Sequence, residues 1–249
     1  IDKKAVGVKL KNGDEFFAKK IVSNSTRWDT FGLNNEPGLI KKEHTPKSEH
    51  QWSKRYKPSP SFVSIHLGVN KNIIDKNLNC HHIIVENWDE LENEKGVIFI
   101  SIPTLLDQSL APADKHIIHA FTPSSIKEWE NLNRKDYLKK KEDYFKFLIK
   151  KISKIIPDIY ENIDHKEIGT PMTHKKFLGR FEGSYGPIPN KKLLGLLPMP
   201  FNTTNIKNLY CVGDSCFPGQ GLNAVAFSGY ACAHKIGASL KINSDKLPK

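Results

Sequence analysis

The strongest constraint on the fold lies near the end of the chain, between Leu209 and Leu240. Leu209-Tyr210-Cys211-Val212 is an apolar run of buried-strand type, and Gly213-Asp214-Ser215 follows at its carboxyl edge. Pro218-Gly219-Gln220-Gly221-Leu222-Asn223 is a glycine-rich turn, and Ala224 to Leu240 reads as a helix of small and apolar residues. Strand, glycine turn and helix in that order suit an open α/β sheet, where ligands bind outside the carboxyl ends of strands. A helix N-terminus at that place offers unpaired N–H groups and the positive end of the helix dipole. Glycines let the backbone approach a ligand without a Cβ in the way. Asp214, at the strand end, can accept hydrogen bonds from sugar-like hydroxyls. Ala224, Ala226, Ser228, Gly229, Ala231 and Ala233 would let the helix pack tightly on the sheet. The G-x-G-x-x-G dinucleotide signature is missing, so two readings stay open: a cofactor turn, or an ordinary strand–turn–helix.

Upstream, Val6 to Leu10 and Glu15 to Ala18 flank Asn12-Gly13, a hairpin signal, and Ile21 to Asn24 reads as a buried parallel strand. Asn34 to Pro60 is polar and irregular, like a crossover. Four strand-like stretches follow at Ser61 to Val69, Cys80 to Asn87, Val97 to Pro103 and His116 to Thr122, and Ser124 to Glu130 reads as a short helix. Arg134 to Ile156 is the clearest helix. Leu138, Phe145, Leu148, Ile149, Ile152, Ile155 and Ile156 form one apolar stripe, and Pro157 stops it. Its opposite face carries Lys139, Lys140, Lys141, Lys146, Lys150, Lys151 and Lys154, which suits either a solvated face or contact with an anionic membrane. Ile168 to Leu178 reads as extended. Gly183 to Phe201 is a Gly- and Pro-rich loop, long enough to be functional or packed over something.

The net charge of +11 over 249 residues comes from basic residues spread along the chain, which favours a basic surface over a nucleic-acid footprint, and no nucleic-acid partner is expected. Cys80, Cys211, Cys216 and Cys232 show no C-x-x-C spacing, so free thiols are expected. Cys80-His81-His82 lacks the partners a zinc site needs, and no metal is expected. His116 and His119 do not share a face of their strand. Ser215 has no G-x-S-x-G context, which argues against a hydrolase. Glu167 and His174 are either structural or an acid–base pair of candidates. No apolar run reaches the roughly 20 residues that span a bilayer. The chain opens on Ile1 within a strand-like pattern and reads as part of a longer protein.

Val212-Gly213-Asp214-Ser215, Phe217-Pro218-Gly219-Gln220-Gly221 and Asn223-Ala224-Val225-Ala226-Phe227-Ser228-Gly229 together resemble the C-terminal signature of carotenoid isomerases. These belong to the FAD-dependent phytoene desaturase and amine oxidase superfamily. The resemblance extends to His81 through Trp88, Gly96 to Pro112, His116 to Ser125 and Gly169 to Gly179. It extends also to Tyr185-Gly186-Pro187-Ile188-Pro189 and Gly195 through Asn202, so it runs along nearly the whole chain. Cys216 stands where the family suggests a small polar residue such as Thr.

The resemblance implies an α/β (α+β) fold: the C-terminal part of a Rossmann-like FAD-binding domain with an inserted mixed-sheet substrate domain. Residues 1–33 would be a middle FAD-domain segment, 34–165 the substrate domain, and 166–249 the C-terminal FAD-domain segment. It further implies that Gly213, Asp214, Pro218, Gly219, Gln220, Gly221, Leu222, Asn223 and Ala224 hold the ribityl chain and flavin edge of FAD in its reduced form. The catalytic acid or base stays unassigned. The implied reaction is cis-to-trans isomerisation of poly-cis carotene to all-trans lycopene, drawn from a peripheral membrane surface. The implied location is the plastid, or the thylakoid or cytoplasmic side in a cyanobacterium. A carotene desaturase or retinoid saturase would share the turn. A non-enzyme alternative is a basic membrane- or nucleic-acid-binding protein on a decayed flavin fold.

Overall fold

A computed structural model describes residues 3–32, 38–91, 93–190 and 199–242. The chain forms two compact units, one from Ile1–Ser59 with Tyr185–Lys249 and one from Pro60–Ser184. The division into compact units thus falls after residues 59 and 184. Residues 47–58 stay with the first unit and 166–169 with the second, because each segment pairs or packs there.

In the first unit, Gly7–Lys9 (β1) and Glu15–Phe17 (β2) make the expected antiparallel hairpin. Ile21–Ser23 (β3) pairs in parallel with Leu209–Cys211, the strand that feeds the glycine turn. Arg27–Phe31 (α1) starts after Thr26, whose side chain accepts from the Asp29 N–H. Lys47–Arg55 (α2) occupies a stretch that reads as irregular from sequence. Only Glu49 and Trp52 of α2 are buried, too few apolar positions to leave a period-3.6 stripe. Trp28 and Trp52 lie 5.1 Å apart and Trp52 stacks on Tyr56 at 5.4 Å, fixing α2 against α1. Tyr56–Pro58 (β4) then pairs antiparallel with Pro187–Pro189.

The second unit is built on a five-stranded antiparallel sheet. Its strands are Ser61–Asn70 (β5), His81–Val85 (β6), Val97–Ser101 (β7), Lys115–Ser124 (β8) and Ile163–Gly169 (β9), in the spatial order β6-β7-β8-β5-β9. Alternate residues of β5 are buried: Ile65, Leu67 and Val69 beside Ile98, Ile100, Ile118 and Ala120, and Val63 with Trp129 and Tyr144. Arg134–Ile152 (α3) closes that face with Phe145, Leu148, Ile149 and Ile152. Each such side chain contributes about 1.5–3 kcal/mol when fully buried. α3 begins where Asn133 accepts from the Asp136 N–H. It ends at Ile152, four residues before the sequence suggests, and Ile156 remains in the core from the turn beyond.

Two local expectations need correction. Ile126–Glu128 is a single 3₁₀ turn in place of a helix over Ser124 to Glu130, because Ser124 closes β8 and its hydroxyl takes the Trp129 indole N–H at 2.9 Å. The stretch Ile168 to Leu178 is extended only to Gly169, and Pro171–Leu178 (α4) is helical. Thr170 caps α4 reciprocally with Thr173, and Pro171 occupies its first turn, both ordinary helix-start signals. Pro187–Pro189 (β10) and Leu209–Cys211 (β11) precede Leu222–Ser239 (α5), in which Ser228, Cys232 and Gly237 are buried. Ala226 is exposed, and Ala224, Gly229, Ala231 and Ala233 are half-buried.

Candidate functional site

Every residue singled out for the cofactor lies in the connection from β11 to α5 or in the first turn of α5. β11 is buried throughout and delivers the chain to Gly213, whose φ of +96° turns it sharply. A Cβ on Gly213 would lie 2.8 Å from Oδ1 of Asn24, so the strand end meets the end of β3 closely. Asp214 follows, only 8% exposed. Ser215 and Cys216 point into the interior. The Phe217–Pro218 bond is cis, and Gly219 and Gly221 take φ of +120° and +97° with no atom within 4 Å of where a Cβ would be. Gly221 is the N-cap of α5, and no side chain caps the helix. Leu222 is 82% exposed, Asn223 is exposed and Ala224 half-buried. The first-turn N–H groups of an uncapped 18-residue helix therefore face open space, beside a nearly buried carboxylate. This combination suits a ligand with both hydroxyls and anionic oxygens.

Side chains remote in sequence brace the turn. Asn202 donates from Nδ2 to the Cys211 carbonyl at 2.9 Å and to Ser228 Oγ at 3.1 Å, tying β11 to α5. Arg27 lies against Ser215 and Cys216, with Glu49 as its partner. The Gly- and Pro-rich loop meets the turn as well: a Cβ on Gly186 would lie 2.5 Å from Cγ of Gln220. Residues 191–198, including Gly195 through Pro198 of the motif, lie outside the described residues. Burial pushes the Cys211 thiol up to about 12 and the Cys216 thiol up to about 11, so both stay neutral and unreactive.

The second unit carries a separate cluster on the sheet face opposite α3. Cross-strand register sets Ser101, His119, His66 and Glu167 in one row across β7, β8, β5 and β9, and Phe99, Phe121 and Ser64 in the next. The His66 and His119 rings meet edge-on with centroids 4.7 Å apart. Phe99 stacks on Phe121 at 4.9 Å, and Phe62 meets Phe121 edge-on at 5.0 Å. Glu167 therefore belongs to this row, whereas His174 rides on α4, with its ring next to Gly169. Burial, then the charge of His66, lowers the affinity of His119 for a proton. Burial is also the main cause of a lowered value at His174. His116 takes the other face, as expected, and is hydrogen-bonded to Thr104 at 2.6 Å. His82 bonds the Asn79 carbonyl at 2.8 Å.

Sequence reasoning missed Arg27, Glu49, Asn202 and the His66–His119 pair. Nothing local marks them, since their partners come from strand register or from residues far along the chain. The lysine face of α3 is likewise partly engaged: Lys140 pairs with Glu128 at 3.0 Å and lies over Trp129, and Lys151 pairs with Glu86. Among the described residues no helix is long and apolar enough to cross a membrane.

In fold the chain is similar to an oxidoreductase from Methanosarcina mazei, with a TM-score of 0.56 at 15% identity, over 94% of this chain and 47% of that one, a likeness of fold alone. In sequence the similarity is far closer. Prolycopene isomerase 1, chloroplastic, of an Oncidium hybrid cultivar is 54% identical over 243 residues, which is 97% of this chain and 40% of that protein. Prolycopene isomerase, chloroplastic, of Arabidopsis thaliana is 53% identical over 239 residues, 95% of this chain and 39% of that protein. The chain is a homologue of the C-terminal portion of prolycopene isomerases, and it spans about two-fifths of their length. No protein-family model matches it.

Proposed function

We propose that the β11–α5 turn holds FAD and that the whole protein isomerises poly-cis carotenes of the prolycopene type to all-trans lycopene. The carrying observation is the uncapped N-terminus of α5 behind two open glycines, with the Asp214 carboxylate at the adjoining strand end. The residues present fit the group. Asp214 would accept hydrogen bonds from ribityl hydroxyls, and Gly213 keeps that strand end free of a side chain. Pro218, Gly219 and Gln220 shape the turn. The N–H groups of Gly221, Leu222, Asn223 and Ala224 would face the pyrimidine edge of the ring or the pyrophosphate, where they favour negative charge.

Reduced FAD, when bound, would supply electron density to the polyene with no net redox change. The first unit would then be part of a discontinuous flavin domain, and the second the substrate domain inserted in its sequence. The Phe62, Phe99 and Phe121 tract offers a polyene a floor of aromatic rings. Its carotene would come from a membrane met peripherally, in a plastid, with α3 lysines not engaged in ion pairs as candidate contacts.

The test is anaerobic assay of the full-length protein in liposomes with reduced flavin and poly-cis lycopene. All-trans product of unchanged mass, lost together with bound flavin in Asp214→Ala, is the expected result. Products differing by pairs of hydrogens would move the assignment to a desaturase or saturase. An Asp214→Ala variant that keeps its flavin would sink the site.

A further inference from the structure

We propose that the buried Arg27–Glu49 ion pair is a positioning device for the flavin turn, fixing the direction in which the Asp214 carboxylate is held. The inference rests on the flavin reading above. Arg27 is 2% exposed and Glu49 7%. The guanidinium grips the carboxylate with two parallel bonds, Nε to Oε2 at 2.9 Å and Nη2 to Oε1 at 2.8 Å. Its remaining nitrogen, Nη1, donates to Cys216 Sγ at 3.2 Å and to the Phe201 carbonyl at 3.4 Å. The backbone N–H of the same residue donates to Ser215 Oγ at 3.1 Å. The two residues that follow Asp214 are therefore both held by Arg27, one by its main chain and one by its side chain.

A planar guanidinium in a two-point grip cannot swivel, so Glu49 dictates where Nη1 points. Burial works against the charge on Arg27, but the hydrogen bond and charge of Glu49 outweigh it and keep the group protonated. A buried pair of this kind adds little net stability over an apolar pair of the same volume. What it adds here is direction: the turn is braced from behind while its front stays open. No residue of the pair lies in the turn itself, and neither needs to touch the cofactor.

The experiment titrates FAD into flavin-stripped full-length protein. It measures affinity by fluorescence, the flavin reduction potential, and the melting of the stripped protein. Variants are Glu49→Gln, Arg27→Lys and the apolar double replacement Arg27→Met with Glu49→Met. The double variant is expected to melt within a few degrees of wild type yet bind FAD about tenfold or more weakly, the size of one lost charge-assisted hydrogen bond. Its potential should shift, and Glu49→Gln should weaken FAD binding alike while melting lower, since it leaves the buried guanidinium without its counter-charge. Arg27→Lys, which keeps the charge, should recover part of the affinity. A folded double variant with wild-type affinity and potential overturns the inference. So does loss of folding in all three, which would make the pair a general core element. If wild type takes up no FAD, or Asp214→Ala binds as tightly as wild type, the flavin reading itself fails and the inference goes with it.

Discussion

A methyl group at Gly186 would press 2.5 Å from Cγ of Gln220, on a backbone whose φ is +93°. Gln220 could swing aside, but the backbone could not relax without dragging Pro187, which begins the β10 strand paired with β4. Gly186→Ala should therefore cost about 1–3 kcal/mol in urea unfolding and, if the proposed flavin site is right, weaken FAD retention as Gln220 is displaced. An unchanged midpoint would show that the loop yields. The residues of the turn were legible because their signal is local: glycines, an acid and a helix start within a dozen positions. Arg27 and Glu49 were not. They are separated by 22 residues, and Ser215 lies 188 residues from Arg27. A buried arginine looks in sequence like any surface one. The His66–His119 pair was hidden for another reason, since only the register of β5 on β8 brings those rings together.

At the scale of elements, α3 separates two leucines that sequence periodicity places on one stripe. Leu148 is fully buried against the five-stranded sheet, whereas Leu138, near the helix start, is 46% exposed. Leu148→Ala should destabilise the second unit by about 3 kcal/mol, and Leu138→Ala by about 0.5 kcal/mol or less. Equal losses in chemical denaturation would contradict this packing. The four long strands and α3 were readable because burial on one face writes a clean period into them. α2 was not, because it buries two residues and shows solvent the rest. α4 carried a proline and a threonine cap that mark a helix start, and its extended reading ignored them. α5 was readable as a helix because small and apolar residues run on directly after the glycine turn.

The whole molecule folds one compact unit from both ends of the chain and the other from the middle. Where the compact units divide is decided by pairings such as β4 with β10, which no local stretch of sequence reveals. The parallel pair β3–β11 has a consequence for synthesis. Ile21–Ser23 leaves the ribosome long before Leu209–Cys211 exists, a wait of roughly 10–40 s at ordinary elongation rates. Pro60–Ser184 contains its own sheet and core, so it should reach protease resistance while the first unit is still incomplete. Pulse proteolysis of nascent chains stalled before Leu209 should leave that middle segment intact and digest residues 1–59. Protection of both segments at that length would refute the order. Translation speed through the middle of the message thus sets how long β3 waits for β11, its parallel partner, to be made.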